Sequence, residues 1–378
     1  MRDGAAWRRR GVVALVAVAA AFFIYPIAEQ NGDVVNSDWP AFATGAHILL
    51  TDPSHLYDTN TQRRVEFDVT GGRTLVTLGV HGILPFVSPA WVAFVAVPFE
   101  LLGTVIGGRL WMLFGLACLL AGIWLAVRPR PPSAILPAFA SVPTALLLLN
   151  AQLDGLVALG MGLALALWSR PYLAGLALGL TLMKPQLVLP LGAAVLAFRQ
   201  WKVLAGWAAS GAALWAFPTL VNPRWVLDWL HALGGPVQTG SRDVDLPYFG
   251  VLLPDAWHGF ALAAISLVAL ILVVALAHRV RADVRRAAAV LVAGGVLVAP
   301  HALPTDLLLV GMALAVWGEA RWYDWLLLSV GAIVCAAAPV PVPAVVGVLL
   351  TAWLCLRAAG LERPTSWRRP LPARGSST

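Results

Sequence analysis

Long apolar runs, separated by short polar or basic breaks, fill most of this chain. After a first run at 11–27 they recur at roughly 86–103, 109–127, 134–149, 155–168, 171–183, 186–198, 203–221, 258–277, 287–299, 306–318, 326–338 and 344–356. A helix rises about 1.5 Å per residue, and about 20 apolar residues cross a hydrocarbon core of about 30 Å. The pattern therefore predicts an all-α, polytopic transmembrane helical bundle of about 10–13 membrane helices. Several runs are too short to cross. Those at 171–183 and 186–198 supply only about 20 Å each, and the same geometry returns at 287–318 and 326–356. Irregular backbone at membrane depth is tolerated only where protein buries it or where it lines a wet cavity, so three such hairpins predict a cavity open to the outside.

The polar stretches complete the layout. Residues 1–356 read as a single integral membrane domain, with extracytoplasmic loops at 29–85 and 222–257 and a basic, disordered cytoplasmic tail at 357–378. Within the first loop, Trp39, Phe42, Ala46 and Leu49 share one side of a predicted short interfacial helix over 39–50. Asn31-Gly32, Asp52-Pro53 and Gly71-Gly72 mark turns around it. The start, with Arg8-Arg9-Arg10 before an apolar run that ends in Phe22-Phe23-Ile24-Tyr25-Pro26, reads as a retained first span with a cytoplasmic amino terminus. Thirteen crossings cannot leave both termini on one side, so one segment between 86 and 149 does not cross or one hairpin is a single kinked span.

Composition changes the picture only by excluding alternatives. Of 378 residues, 60% are apolar and 12% charged, against about 45–50% and 25% in soluble domains, which rules out a water-soluble protein. The net charge of +7 is no nucleic-acid footprint, because Arg128, Arg130, Arg170, Arg199, Lys202, Arg279, Arg281, Arg285, Arg286 and Arg321 punctuate the ends of apolar runs. The two polar loops instead hold eleven acids. Cys118, Cys335 and Cys355 lie in apolar runs without metal-ligand spacing. There is no Gly-rich phosphate loop, His-Glu-x-x-His or Gly-x-Ser-x-Gly.

A few residues stand out chemically. Asp38 follows the first span by about ten residues. Partial desolvation beside an apolar, Trp-rich surface would raise its pKa toward that of a general base, while its place before Trp39 suits a helix N-cap, the reading that spacing alone favours. Lys184, one of two lysines, interrupts an apolar stretch as Met183-Lys184-Pro185-Gln186. A buried ammonium needs an anionic partner such as a phosphate, unless the chain snorkels to the interface. His301 and Asp306 sit at a second hairpin tip, and Asn150, Gln152 and Asp154 form a third polar island that can meet Lys184 across a shared cavity. Capping equally accounts for Asp154 and Asp306. Among 17 tryptophans, Trp39, Trp225 and Trp229, together with Tyr248, suit either an interfacial belt or the face of a sugar.

The ordered set of motifs resembles glycosyltransferase family 87. Its first-loop pattern is matched by Ser37-Asp38-Trp39-Pro40-Ala41-Phe42, Gly45-Ala46, Leu49-Leu50-Thr51-Asp52-Pro53 and Leu56-Tyr57-Asp58. Asn150-Ala151-Gln152-Leu153-Asp154, Leu173-Ala174-Gly175-Leu176, Met183-Lys184-Pro185-Gln186 and Pro300-His301 with Asp306 follow in order. The resemblance implies a GT-C fold and transfer of a hexose, with mannose favoured, from a polyprenyl-phosphate sugar to a lipid- or glycan-linked acceptor at the extracytoplasmic face of the cell membrane. It implies inversion, with no metal and no cofactor. By the same resemblance Asp38 is the expected catalytic base and Lys184, with His301, the donor-phosphate site. Gln152, Trp39, Tyr57, Gln186 and Asp306 are the candidates for substrate contacts. A lipid-linked sugar transporter and a noncatalytic envelope-assembly subunit are the competing readings; against the first, the two halves show no convincing internal repeat.

Overall fold

A computed structural model of the chain describes residues 2–72, 75–77, 80–82, 84–131, 134–234, 249–254 and 257–361. Nearly every apolar run is a helix. Thr104–Val127, Asp154–Ala166, Trp201–Thr219, His258–Arg279, Val284–Val298, Leu307–Trp317, Trp322–Ala337 and Val342–Ala358 follow the hydropathy pattern closely. The run at 134–149 is divided into Leu136–Phe139 and Val142–Leu149, because Pro143 suits only a first helical turn and forces a new start there.

Among the described residues, three helices are long and apolar enough to cross a membrane: Arg9–Ala28, Thr104–Val127 and Gly259–Arg279. Seven shorter apolar helices of 10–17 residues accompany them, and together they form a polytopic helical membrane bundle. The most apolar window of Thr104–Val127 is 56% buried, against 6% for Arg9–Ala28 and 17% for Gly259–Arg279. The first is therefore the axis of the bundle, and the other two present most of their surface outward. The described polar segment after the first span also contains one two-stranded antiparallel ribbon, Leu75–Thr77 with Val80–Gly82, which the helical pattern does not foretell.

Glycine seams set how closely the helices approach. Gly115 and Gly122 on Thr104–Val127 face Gly155 and Gly162 on Asp154–Ala166, both pairs seven residues apart. A Cβ at Gly155 would fall within contact distance of the Gly115 carbonyl, and one at Gly162 would meet the Gly122 carbonyl. Gly175 and Gly206 form a second reciprocal contact between Pro171–Leu178 and Trp201–Thr219. In lipid, where association relies on close van der Waals packing, such seams replace the hydrophobic drive. Gly162→Ala is expected to destabilise the bundle by about 1–3 kcal/mol through overpacking. The measurement is the thermal midpoint in detergent, and an unchanged midpoint would show that the seam yields.

The expected interfacial helix is present as Trp39–Thr51, but it is a core element. Trp39 is fully buried, donates through Nε1 to the Thr104 carbonyl at 2.8 Å and packs 5.5 Å from the Trp111 ring. Two neighbours bring about this correction. Ala90–Glu100 and Thr104–Val127 cover the face that the sequence pattern assigns to lipid, and Gly108 opposes the Trp39 ring where a side chain would collide. His47, on the less covered side, pairs with Glu100 at 2.9 Å.

At the other end of the chain, Trp322–Ala337 and Val342–Ala358 are joined by a buried ion pair between Asp324 and Arg357. The Arg357 guanidinium lies 5.0–5.3 Å from the rings of Trp317, Tyr323 and Trp353. Arg357 thus belongs to the bundle and not to the expected tail; residues 362–378 lie outside those described.

Candidate functional site

Three breaks in the helical pattern converge. The first is Asn36-Ser37-Asp38, between the helices Asn31–Val35 and Trp39–Thr51. Ser37 supplies the turn's local hydrogen bonds: its hydroxyl donates to the Val34 carbonyl at 2.8 Å and accepts from the Trp39 amide at 3.2 Å. The Asp38 carboxylate makes no capping bond. It accepts instead from the Gln152 amide, and the Asp38 backbone N–H donates to the Asn150 carbonyl at 3.3 Å. Of the two readings left open by the sequence, the cap contact belongs to Ser37.

Asp38 lies outside the long spans, yet burial pushes its pKa up from 3.8 to about 6, against the Gln152 hydrogen bond and the nearby positive charge of Lys184. Loss of hydration penalises the carboxylate more than the neutral acid, and here that effect outweighs two opposing ones. The result is a carboxylate poised to exchange a proton near neutral pH.

The second break, Asn150-Ala151-Gln152-Leu153, connects Val142–Leu149 to Asp154–Ala166. Ala151 takes a left-handed conformation with φ +48°, which costs a residue bearing a Cβ about 1–2 kcal/mol. The turn is held by the indole of Trp111, which donates to the Ala151 carbonyl at 2.8 Å. Such a clamped, strained turn aims Gln152 at Asp38 and, two residues later, Asp154 at Lys184. The sequence offers no sign of this conformation, since the residue is not glycine.

The third break is Lys184, between the 3₁₀ turns Gly179–Met183 and Pro185–Val188. Its Nζ donates to Asp154 at 3.0 Å and to Asp306 at 2.7 Å. All three side chains are buried. The snorkelling reading is thereby excluded, because the ammonium ends on two carboxylates inside the protein. Asp306 also accepts from the Leu303 amide at 2.6 Å, which ties down the turn Pro304–Asp306, while Asp154 Oδ1 is buried without a hydrogen-bond partner. The cluster is one cation against two acids. Formally it is anionic, so a phosphate drawn to Lys184 would meet a charge already compensated.

The other expected site residues have varied placements. Gln152 is joined to Asp38, and Asp306 to Lys184. His301 is exposed five residues before Asp306, and Gln186 is half-buried just past Pro185. Trp39 offers no ring face to a sugar, being wholly enclosed by the bundle. Tyr57 is buried as well; its hydroxyl donates to the Ser88 carbonyl at 2.9 Å and its ring stacks on Phe86. Trp225 is buried against Trp91, the Trp229 indole donates to the Val87 carbonyl at 2.9 Å, and Tyr248 lies outside the described residues. These aromatics pack loops onto the bundle. Asp154 is not among the expected substrate contacts, but the island expected to meet Lys184 includes it, and the need of a buried ammonium for charge singles it out.

Among the described residues no group of three His, Cys, Asp or Glu side chains is placed to hold a metal ion. The helices around the Lys184 hairpin also enclose space away from these clusters. A cavity of about 470 Å³ is lined farther along the same helices, by residues that include none of the Asp38 and Lys184 clusters.

The family model described as Glycosyltransferase family 87 matches residues 86–304. Gln152, Asp154, Lys184 and His301 fall within that stretch, while Asp38 and Asp306 flank it. No curated protein and no solved structure matches the chain.

Proposed function

This chain belongs to glycosyltransferase family 87, whose model covers more than half its length, and from that premise we propose a reaction centred on Asp38. The chain transfers a hexose, with mannose favoured, from a polyprenyl-phosphate sugar to a lipid- or glycan-linked acceptor at the extracytoplasmic face. The observation that carries this reading is the Asp38 carboxylate itself: free of capping, oriented by Gln152 and raised to a pKa of about 6.

Asp38 accepts the proton of the acceptor hydroxyl as that oxygen attacks the anomeric carbon. The bond from that carbon to the phosphate oxygen breaks on the opposite face, so the configuration inverts and polyprenyl phosphate leaves. A general base in this position contributes about 10²–10⁴-fold. Lys184 acts on the leaving phosphate through the one N–H not engaged by Asp154 and Asp306, and the exposed His301 meets it from solvent. Both act as hydrogen-bond donors to the phosphate, since Asp154 and Asp306 already offset the Lys184 charge. Gln152 serves as a positioning residue, and Gln186 is left as a donor contact.

The rival reading, transport of an intact lipid-linked sugar, is favoured by one observation: buried charges at the broken hairpin 171–197 are also a hallmark of transporter sites. Purified protein in lipid vesicles, supplied with a panel of polyprenyl-phosphate sugars and an acceptor glycolipid, separates the two. The expected result is a product whose mass has grown by one hexose, most abundantly from the mannosyl donor. Movement of intact donor across the bilayer with no new glycosidic bond would overturn the transferase assignment.

A further inference from the structure

The hairpin whose tip carries Lys184 has, at its base, a cavity of about 470 Å³, within the roughly 300–1,000 Å³ that ligand sites occupy. Its inner wall is apolar, from Met161, Leu178, Val195 and Leu291, and all four are nearly or fully buried. Gln200 and Arg281 line the other end and are exposed, which places the mouth at the loops 198–201 and 280–284.

That mouth is basic. Arg281 lines it, Arg199 and Lys202 flank the lining residue Gln200 in sequence, Arg279 ends the helix before Arg281, and all four are exposed. The nearby acid, Asp283, is committed to capping Val284–Val298, accepting from the Arg285 and Arg286 amides at 3.0 and 3.1 Å and pairing with Arg286 at 3.5 Å. An apolar slot under a cationic rim complements a molecule with a hydrocarbon chain and an anionic head.

Depth selects among such molecules. Val284 and Val292 both line the cavity, and the eight residues between them span about 12 Å of helix. One leaflet is about half of a 30 Å hydrocarbon core. The slot is therefore one acyl chain deep, and a polyprenyl chain long enough to reach both leaflets would overrun its floor.

We propose that this cavity is a binding site for an anionic glycerophospholipid, which seats one acyl chain between the helices and its phosphate against Arg281 and Lys202. The site is separate from the Asp38 and Lys184 clusters, and its test needs no transferase activity. Basic pockets between membrane helices recognise anionic head groups.

The experiment is titration of delipidated full-length protein in detergent with phosphatidylglycerol or phosphatidylcholine, followed by native mass spectrometry and thermal midpoint. Phosphatidylglycerol is expected to bind about tenfold more tightly or better and to raise the midpoint. Arg281→Ala with Lys202→Ala should erase that preference while leaving the slot intact, and Ala288→Trp, which fills the slot, should abolish binding of both lipids. Should Ala288→Trp fail to fold, the double alanine variant decides alone. Equal binding of the two lipids, or a preference that survives the double variant, would overturn the proposal. So would displacement of phosphatidylglycerol by equimolar polyprenyl phosphate, which would give the cavity to the donor.

Discussion

Asp38→Asn is expected to lower transfer by about 10²–10⁴-fold while leaving the folded protein intact. Asparagine keeps the shape of the carboxyl group, and the Ser37 hydroxyl still caps the following helix. What disappears is the proton acceptor. The pH profile gives the prediction a second, independent readout. A base works only when deprotonated, and Asp38 is held near a pKa of 6. The kcat/KM of the wild type should therefore rise about tenfold per pH unit below that value and level off above it. In the Asn variant the acidic limb should vanish. A variant with wild-type turnover, or one that keeps the same limb, would remove Asp38 from the reaction.

Lys184→Met is expected to have the largest effect on stability. It leaves Asp154 and Asp306 facing one another in the interior with no cation between them, and breaking a buried pair in this way costs about 3–5 kcal/mol. Against a total stability of about 5–15 kcal/mol this is severe, and loss of folded protein from the membrane is the expected outcome. The triple variant Lys184→Met, Asp154→Asn, Asp306→Asn removes the stranded charges together and should recover the fold, as judged by thermal midpoint. Under the proposed scheme its turnover should stay depressed, because the N–H that Lys184 offers the donor phosphate is gone. If turnover returned with the fold, Lys184 would be a structural pin for the turns around it and nothing more.

These two variants differ in how plainly the sequence announces them. Asp38 is visible as an acid just past a first span, but spacing alone favours a cap over a base. The choice depends on a serine hydroxyl rotated into the turn and on Gln152, 114 residues away in sequence. Lys184 is conspicuous in an apolar run. The physical rule that a buried ammonium must find charge foretells that partners exist, and the polar island at 150–154 and the tip at 301–306 are the right places to look. Which acids answer, and that there are two of them, is settled by contacts spanning 30 and 122 residues.

The aromatic residues teach the opposite lesson. Trp39 looks from composition, and Tyr57 from the family resemblance, like a group that meets a sugar or a headgroup. Both are enclosed, with their polar atoms spent on the carbonyls of Thr104 and Ser88. An amphipathic stripe records that one side of a helix is apolar and says nothing about whether lipid, protein or substrate covers it.

The sequence by itself determined the membrane setting, the position of almost every helix and the short, broken hairpins, because hydropathy and proline act locally and over a few turns. Tertiary structure alone decided the rest: that Gly115 and Gly122 meet Gly155 and Gly162, that a strained Ala151 aims Gln152 at Asp38, and that Lys184 lies between two acids. Each of these rests on two backbones approaching closely enough to exclude every other partner. That condition belongs to packing, and no local pattern along the chain encodes it.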